Sequence, residues 1–167
     1  GYVSYARGYA AHAEGAQTNA SGSYSHAEGY YAIASGSYSH AEGQLSVALG
    51  QFSHAEGNST VSSGSFSHAE GQQTIASGSY SHAEGYATVA AGLSSHAEGG
   101  TNKVYGQYCH GEGTGNGIDP NAYGSHVEGG LNTVSGTYSH GEGYITLIDA
   151  SYAHAEGTRT KVFGEGA

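Results

Sequence analysis

One motif recurs throughout this chain: a histidine, any residue, a glutamate and a glycine, in that order. It occurs eleven times and accounts for every histidine. Successive copies are fourteen residues apart, except at one step of sixteen. The histidines are His12, His26, His40, His54, His68, His82, His96, His110, His126, His140 and His154, and their partners are Glu14, Glu28, Glu42, Glu56, Glu70, Glu84, Glu98, Glu112, Glu128, Glu142 and Glu156. A fixed period of this kind indicates a repeat protein.

The repeat unit is shorter than the units of about 20 to 45 residues found in many solenoids. The unit divides into two halves of seven residues each. Residues 25–29 and residues 32–36 both contain Ala-x-Gly at the same position, seven residues apart. Five residues form a strand of about 16 Å, and two remain for a turn. Glycine every seven residues disfavours helix by about 1 kcal/mol each. We therefore predict an all-β roll of fourteen-residue coils, with two short strands per coil, as a single domain over 1–167.

Alternation along each strand assigns its two faces. The residue after each histidine and the matching residue of the second half are small or apolar throughout, as at Ala55 and Ala48. Both series can line a narrow interior, which places His and Glu together on the outer face of one sheet. The outer face of the other sheet then carries an apolar series, which we call the aliphatic column. Its members are Ile33, Val47, Val61, Ile75, Val89 and Leu147.

The aliphatic column predicts an interface. Contiguous apolar patches of this size usually mark contact surfaces, and a core of alanines is too thin to offset the entropy of ordering a monomer. We therefore expect a partner, most simply other copies of the same chain.

Composition excludes several functional classes. A net charge of -10 with only four basic residues argues against nucleic acid and anionic membranes as partners. No apolar stretch approaches the roughly 20 residues of a membrane span, so we predict no membrane insertion. The single cysteine, Cys109, cannot form an internal disulfide. The chain opens on Gly1 in mid-pattern, which suggests a piece of a longer fibre.

The sixteen-residue step contains Asn-Gly and Asp-Pro turn signals and the only proline, Pro120. We predict a loop insertion near 114–122. A tolerated turn insertion and a binding loop are both compatible with this pattern.

The stretch 44–57, which reads QLSVALGQFSHAEG, carries a more specific signal. It resembles the YadA-like head repeats of trimeric autotransporter adhesins, whose pattern is Ser-Val-Ala-Ile-Gly, two residues, then Ser-x-Ala-x-Gly. The Ser-His-Ala-Glu-Gly variant is also similar to repeats in phage and prophage tail-fibre or neck-appendage proteins. The resemblance implies a left-handed parallel β-roll assembled as a homotrimer.

The His-x-Glu copies allow two interpretations. Stacked coils would form columns of imidazole and carboxylate, which are acceptable ligands for Zn²⁺ or Fe²⁺. The alternative, which we favour, is a structural ladder that binds no metal and in which the two groups hydrogen-bond sideways. Such pairing would raise the histidine pKa; if desolvation dominated, the histidines would stay neutral instead.

Neither catalysis nor a cofactor is predicted. Ser39 and His40 are adjacent on a strand and so point to opposite faces, which prevents a triad with Glu42. An aromatic column two residues before the histidines predicts cross-coil packing, with receptor binding as the alternative; it comprises Tyr24, Tyr38, Phe52, Phe66, Tyr80, Tyr108, Tyr138 and Tyr152. A threonine series also suggests ice binding, as a weaker alternative than the functions above; it comprises Thr60, Thr74 and Thr88.

Together these features predict a non-enzymatic rod in an extracellular fibre, either a virion tail fibre or a bacterial surface adhesin, that supports host attachment. Direct binding of a host glycan or protein receptor is the first alternative, and a metal-binding fibre segment is the second.

Overall fold

A computed structural model describes residues 3–164 of the chain. Every element in this range is a strand or a turn, and every strand pair is parallel. The strands alternate between two sheets along the chain, so that each coil contributes one strand to each sheet. The predicted all-β solenoid of fourteen-residue coils is therefore confirmed.

The first sheet has twelve strands, mostly of two residues. They are β1 Tyr5–Ala6, β3 Asn19–Ala20, β5 Ile33–Ala34, β7 Val47–Ala48, β9 Val61–Ser62, β11 Ile75–Ala76, β13 Val89–Ala90, β15 Lys103–Val104, β17 Gly117–Ile118, β19 Thr133–Val134, β21 Leu147–Asp149 and β23 Lys161–Phe163.

The second sheet has eleven strands, each of which begins at a histidine. They are β2 His12–Ala16, β4 His26–Tyr30, β6 His40–Gln44, β8 His54–Asn58, β10 His68–Gln72, β12 His82–Ala83, β14 His96–Ala97, β16 His110–Gly111, β18 His126–Gly130, β20 His140–Tyr144 and β22 His154–Ala155.

The register of the strands follows the sequence repeat, because equivalent residues of successive coils pair with each other. Ala41 lies beside Ala55, and Glu42 lies beside Glu56. The same holds in the other sheet, where Val47 pairs with Val61. Equivalent side chains therefore form straight columns along the rod, which makes each column a single physical environment repeated at every coil.

The interior is lined by alanine, as predicted. Ala27, Ala34, Ala41, Ala48 and Ala55 are all completely buried. Small side chains allow the two sheets to approach closely. Later coils carry larger interior residues, and in one of them a glycine makes room for a valine: a Cβ on Gly111 would lie 2.7 Å from Cγ2 of Val104.

Two further interior columns are polar. Buried serines precede the histidines. From Ser25 to Ser95 each donates to the carbonyl three residues earlier, as Ser39 Oγ does to Gly36 O at 2.7 Å. Cys109 occupies this column and is 2% exposed, so it is a buried free thiol in place of a serine. Such bonds satisfy hydroxyls that would otherwise be costly to bury.

The threonine series belongs to the interior, so the ice-binding prediction is wrong. Thr60, Thr74 and Thr88 are fully buried and cannot contact water or ice. In later coils asparagines continue this column: the Asn102 side chain accepts from Asn116 N at 2.8 Å, and that of Asn116 from Asn132 N at 2.9 Å.

The sixteen-residue step is absorbed in a turn. Gly117 pairs with Lys103, fourteen residues back, and with Thr133, sixteen residues ahead. The additional residues therefore follow β17, where Ala122 N donates to Asp119 O at 3.1 Å. The strand β17 itself runs through the centre of the predicted 114–122 segment.

Substitution of Ala55 by leucine tests the interior assignment. Because Ala55 is completely buried between two sheets, we expect the larger side chain to destabilise the fold by about 1–3 kcal/mol or more. Gln72 lies exposed at the end of a strand, and its replacement by asparagine should change stability by about 0.5 kcal/mol at most. Guanidinium unfolding of both variants measures the difference, and equal tolerance would mean that the faces are assigned backwards.

Candidate functional site: the histidine and glutamate columns

The histidines form one continuous stack on the outer face of the second sheet. From His26 to His140 neighbouring ring centroids are 4.7–4.9 Å apart, and the rings are within 6° of parallel. The strands fix this spacing, since each histidine opens a strand in register with the next. About a third of each side chain in this run remains exposed, as at His54.

The glutamates form a second column beside the histidines. Within one coil the histidine Nε2 and the glutamate Oε2 are 3.6–3.9 Å apart. Contacts also cross between coils, as from His140 Nε2 to Glu128 Oε1 at 3.5 Å. These separations exceed a normal hydrogen bond. The columns predicted by the sequence exist, but the expected sideways hydrogen bond between imidazole and carboxylate is absent from the described residues.

The pKa values of the glutamates depend mainly on the neighbouring glutamates. A hydrogen bond with Glu70 is the main cause that raises the pKa of Glu56 to about 7, and burial adds to it. The pKa of Glu70 is lowered, chiefly because it accepts a hydrogen bond from Glu84. The same alternation continues along the column, where the pKa of Glu84 and of Glu112 is about 7. Stacked carboxyls relieve their mutual repulsion when alternate members hold a proton.

Four inner histidines have their pKa shifted in the opposite sense to the ion-pair expectation, which is therefore wrong for them. Burial is the largest cause that lowers the pKa of His54, His68, His96 and His126, and repulsion from neighbouring histidines lowers it further. Nearby glutamates act the other way but do not overcome desolvation. Burial therefore favours the neutral form of these four rings.

Replacement of Glu56, Glu84 and Glu112 together by glutamine should make the rod more resistant to alkaline conditions. A carboxyl whose folded pKa is raised contributes stability below its unfolded pKa, and this contribution is lost as pH rises through about 7. The groups facing them are Glu42, Glu70, Glu98 and Glu128 and the adjacent histidines. The histidines are the same in the two chains, so a comparison of the chains isolates the effect of the carboxyl groups.

Guanidinium unfolding in the presence of a chelator measures this effect. As pH rises from about 4.5 to about 7, we expect the midpoint of the triple glutamine variant to rise relative to that of the unmodified chain. A variant that loses stability as steeply as the unmodified chain would contradict the shared-proton arrangement.

No triad forms in the described coils. Ser39 points into the interior and donates to a backbone carbonyl, while His40 points outwards. Every coil from His26 to His140 repeats nearly the same arrangement, so the columns present a uniform surface with no single distinct pair of acid and base groups. The chemistry available to this surface is proton exchange and ligand binding by imidazole and carboxylate.

The aliphatic column lies on the opposite side of the roll, on the outer face of the first sheet. Ile33, Val47, Val61, Ile75 and Val89 pair in register without interruption. Ile75 is 38% exposed, so this stripe faces outwards in the single chain. The next positions are Lys103, Gly117 and Thr133, and Leu147 therefore stands apart from the five-residue stripe.

Two segments of the chain, 41–67 and 69–95, match the family profile of the YadA head domain repeat. These two segments are similar to YadA head repeats. They include the stretch 44–57 on which the sequence resemblance was based, and that prediction is confirmed. No functionally curated protein matches the chain.

The YadA head repeats contain most of the longest run of the aromatic column. Tyr24, Tyr38, Phe52, Phe66 and Tyr80 stack face to face at 4.8–5.0 Å. Their neighbours cover both faces of the inner rings, which leaves ring edges and hydroxyls exposed. Stacking of this kind stabilises adjacent coils by about 0.5–1.5 kcal/mol per pair, so the geometry favours the packing role over binding of sugars on ring faces.

Within residues 3–164 there is no helix of the length and apolar character needed to cross a bilayer.

Proposed function

We propose that this chain is a rigid, non-enzymatic segment of a trimeric extracellular fibre, on a virion tail or a bacterial surface, that supports attachment to a host. The YadA head repeats are structural repeats of adhesin type, which supports this assignment. About eleven and a half coils at roughly 4.8 Å each give a rod near 55 Å long. Its role is to hold a neighbouring module at a fixed distance from the particle or cell, and the left-handed coiling implied by the resemblance is part of the proposal.

The aliphatic column is the main observation that supports a trimeric assembly. Five branched side chains in unbroken register form a flat apolar stripe, and the residues beside them on the same face, such as Ser35, Leu49 and Ser77, carry no charge. Burial of such a stripe contributes about 25 cal/mol per Å². Three copies arranged around this stripe would supply the apolar core that the alanine interior lacks.

Small-angle X-ray scattering tests the rod. We expect a maximum dimension set by about 55 Å of stacked coils along the axis and a cross-section that accommodates three rolls side by side. A cross-section that fits only a single roll would contradict the proposal.

Direct binding of a host glycan or protein is the second candidate, and one groove favours it. A cavity of about 550 Å³ is lined by Asp119, Asn121, Ser135, Leu147, Asp149 and Phe163. Carboxylate, amide and aromatic groups together suit recognition of a polar ligand with an apolar face. A glycan array with the isolated chain distinguishes the two, because a simple spacer would give no specific signal.

A further inference from the structure

The histidine column has an unsatisfied row of nitrogen atoms. The Nε2 atoms of the inner histidines are shielded from solvent and have no hydrogen-bond partner; they belong to His26, His40, His54, His68, His82, His96, His110, His126 and His140. Buried polar atoms normally find a partner, and an exception calls for an explanation. An unmet lone pair of this kind is also what a metal ion requires of an imidazole.

The spacing between imidazole and carboxylate fits a metal better than a hydrogen bond. His40 Nε2 and Glu42 Oε2 are 3.7 Å apart, and the same separation occurs at His54 and Glu56. A nitrogen and an oxygen bound to one tetrahedral Zn²⁺, at about 2.0–2.2 Å each, are separated by about 3.4 Å. The strand therefore holds the two ligand atoms close to the required separation before any ion arrives.

The next coil supplies a third ligand. The ligand atoms of His40, Glu42 and His54 all lie within 4.8 Å of one another. Equivalent groups include His26, Glu28 and His40; His54, Glu56 and His68; His68, Glu70 and His82; and His96, Glu98 and His110. The parallel rings must turn towards each other to converge on one ion, and the terminal torsion of histidine is soft enough to permit this.

We propose that the ladder binds Zn²⁺ between neighbouring coils, through two histidine nitrogens and one glutamate oxygen, with water in the fourth position. Mixed nitrogen and oxygen ligands select a borderline divalent ion over Mg²⁺ or Ca²⁺, which prefer oxygen alone. Each Nε2 offers one lone pair, so adjacent groups that share a histidine cannot both be filled. Eleven histidines taken two at a time thus allow about five ions per chain.

Zinc in these positions would cross-link neighbouring coils along the rod. Each ion would join two successive coils on the outer face, and it would place positive charge against a chain of net charge -10. Because the ligands come together only when the coils are stacked, zinc would bind the folded state preferentially and raise the melting temperature.

Calorimetric titration of the untagged, metal-stripped chain with ZnCl₂ tests the proposal, with MgCl₂ as the comparison. We expect several zinc ions per chain, up to about five, and no measurable magnesium binding. X-ray absorption on the zinc-loaded chain should show imidazole ligands at about 2.0–2.1 Å. Absence of zinc binding, or zinc surrounded by oxygen alone, would overturn the proposal.

A triple variant, His40→Asn, His68→Asn and His96→Asn, removes one ligand from each of the five groups named above. We expect the number of zinc ions bound per chain to fall to about three or fewer, because only the coils before His40 and from His110 onwards keep neighbouring histidines. A control with Gln44→Asn, Gln51→Asn and Gln72→Asn should bind as many ions as the unmodified chain. An unchanged number of zinc ions in the folded histidine variant would refute the site. If that variant does not fold, the absorption spectrum of the unmodified chain decides the question.

Discussion

Replacement of Val61 by aspartate is expected to dissociate the assembly and to unfold much of the rod. Val61 stands at the centre of the aliphatic column, between Val47 and Ile75. In the proposed trimer the new carboxylate would be buried without a partner, which costs about 3 kcal/mol or more per chain. Symmetry introduces the charge three times at one level of the rod.

Sedimentation velocity and circular dichroism measure this outcome. Gln72→Asp serves as the control, because it adds the same charge at an exposed position away from the column. A Val61→Asp variant that keeps the mass and the melting temperature of the unmodified chain would show that the column faces solvent in the assembly.

Replacement of Gly57 by alanine is expected to be the most damaging change to the roll itself. Gly57 has a φ of 110°, and a Cβ placed there would lie 2.1 Å from the carbonyl oxygen of Gly71 on the next coil. The clash is with backbone and no side-chain movement relieves it. Backbone strain of this type costs about 1–3 kcal/mol, and displacement of the neighbouring coil adds to that cost.

Gly117→Ala is the matched control, because no atom lies within 4 Å of the Cβ that it would add. Thermal unfolding should therefore separate the two variants clearly, with a large drop in melting temperature for the first and little change for the second. Similar losses in both would mean that close approach of the coils is not what selects glycine at position 57.

Periodicity made the fold predictable. A fourteen-residue repeat places like residues side by side only if successive coils pair in parallel, and alternation within the strand then sends Ala41 inwards and His40 outwards. The same rule could have placed the threonine series, since Thr60 and Ser62 are two residues apart and share the interior face. Alternation along the strand therefore indicates a buried threonine series, whereas the ice-binding hypothesis requires an exposed one.

Proton positions in the ladder were not predictable from spacing alone. The direction of the pKa shift of His54 depends on how far its ring is desolvated by the rings above and below, which the sequence does not specify. The sharing of protons between Glu56 and Glu70 likewise depends on side-chain geometry. The asparagine ladder from Asn102 to Asn132 follows the same alternation, since Asn102 lies two residues before the interior Val104, but the hydrogen bonds between its members could not be predicted from the spacing.

Sedimentation equilibrium of the unmodified chain tests the central claim most directly. The account predicts a single species of three times the chain mass of 16.9 kDa, stable on dilution because the aliphatic stripe is buried between copies. A folded monomer that persists at all concentrations would contradict the proposed trimeric rod.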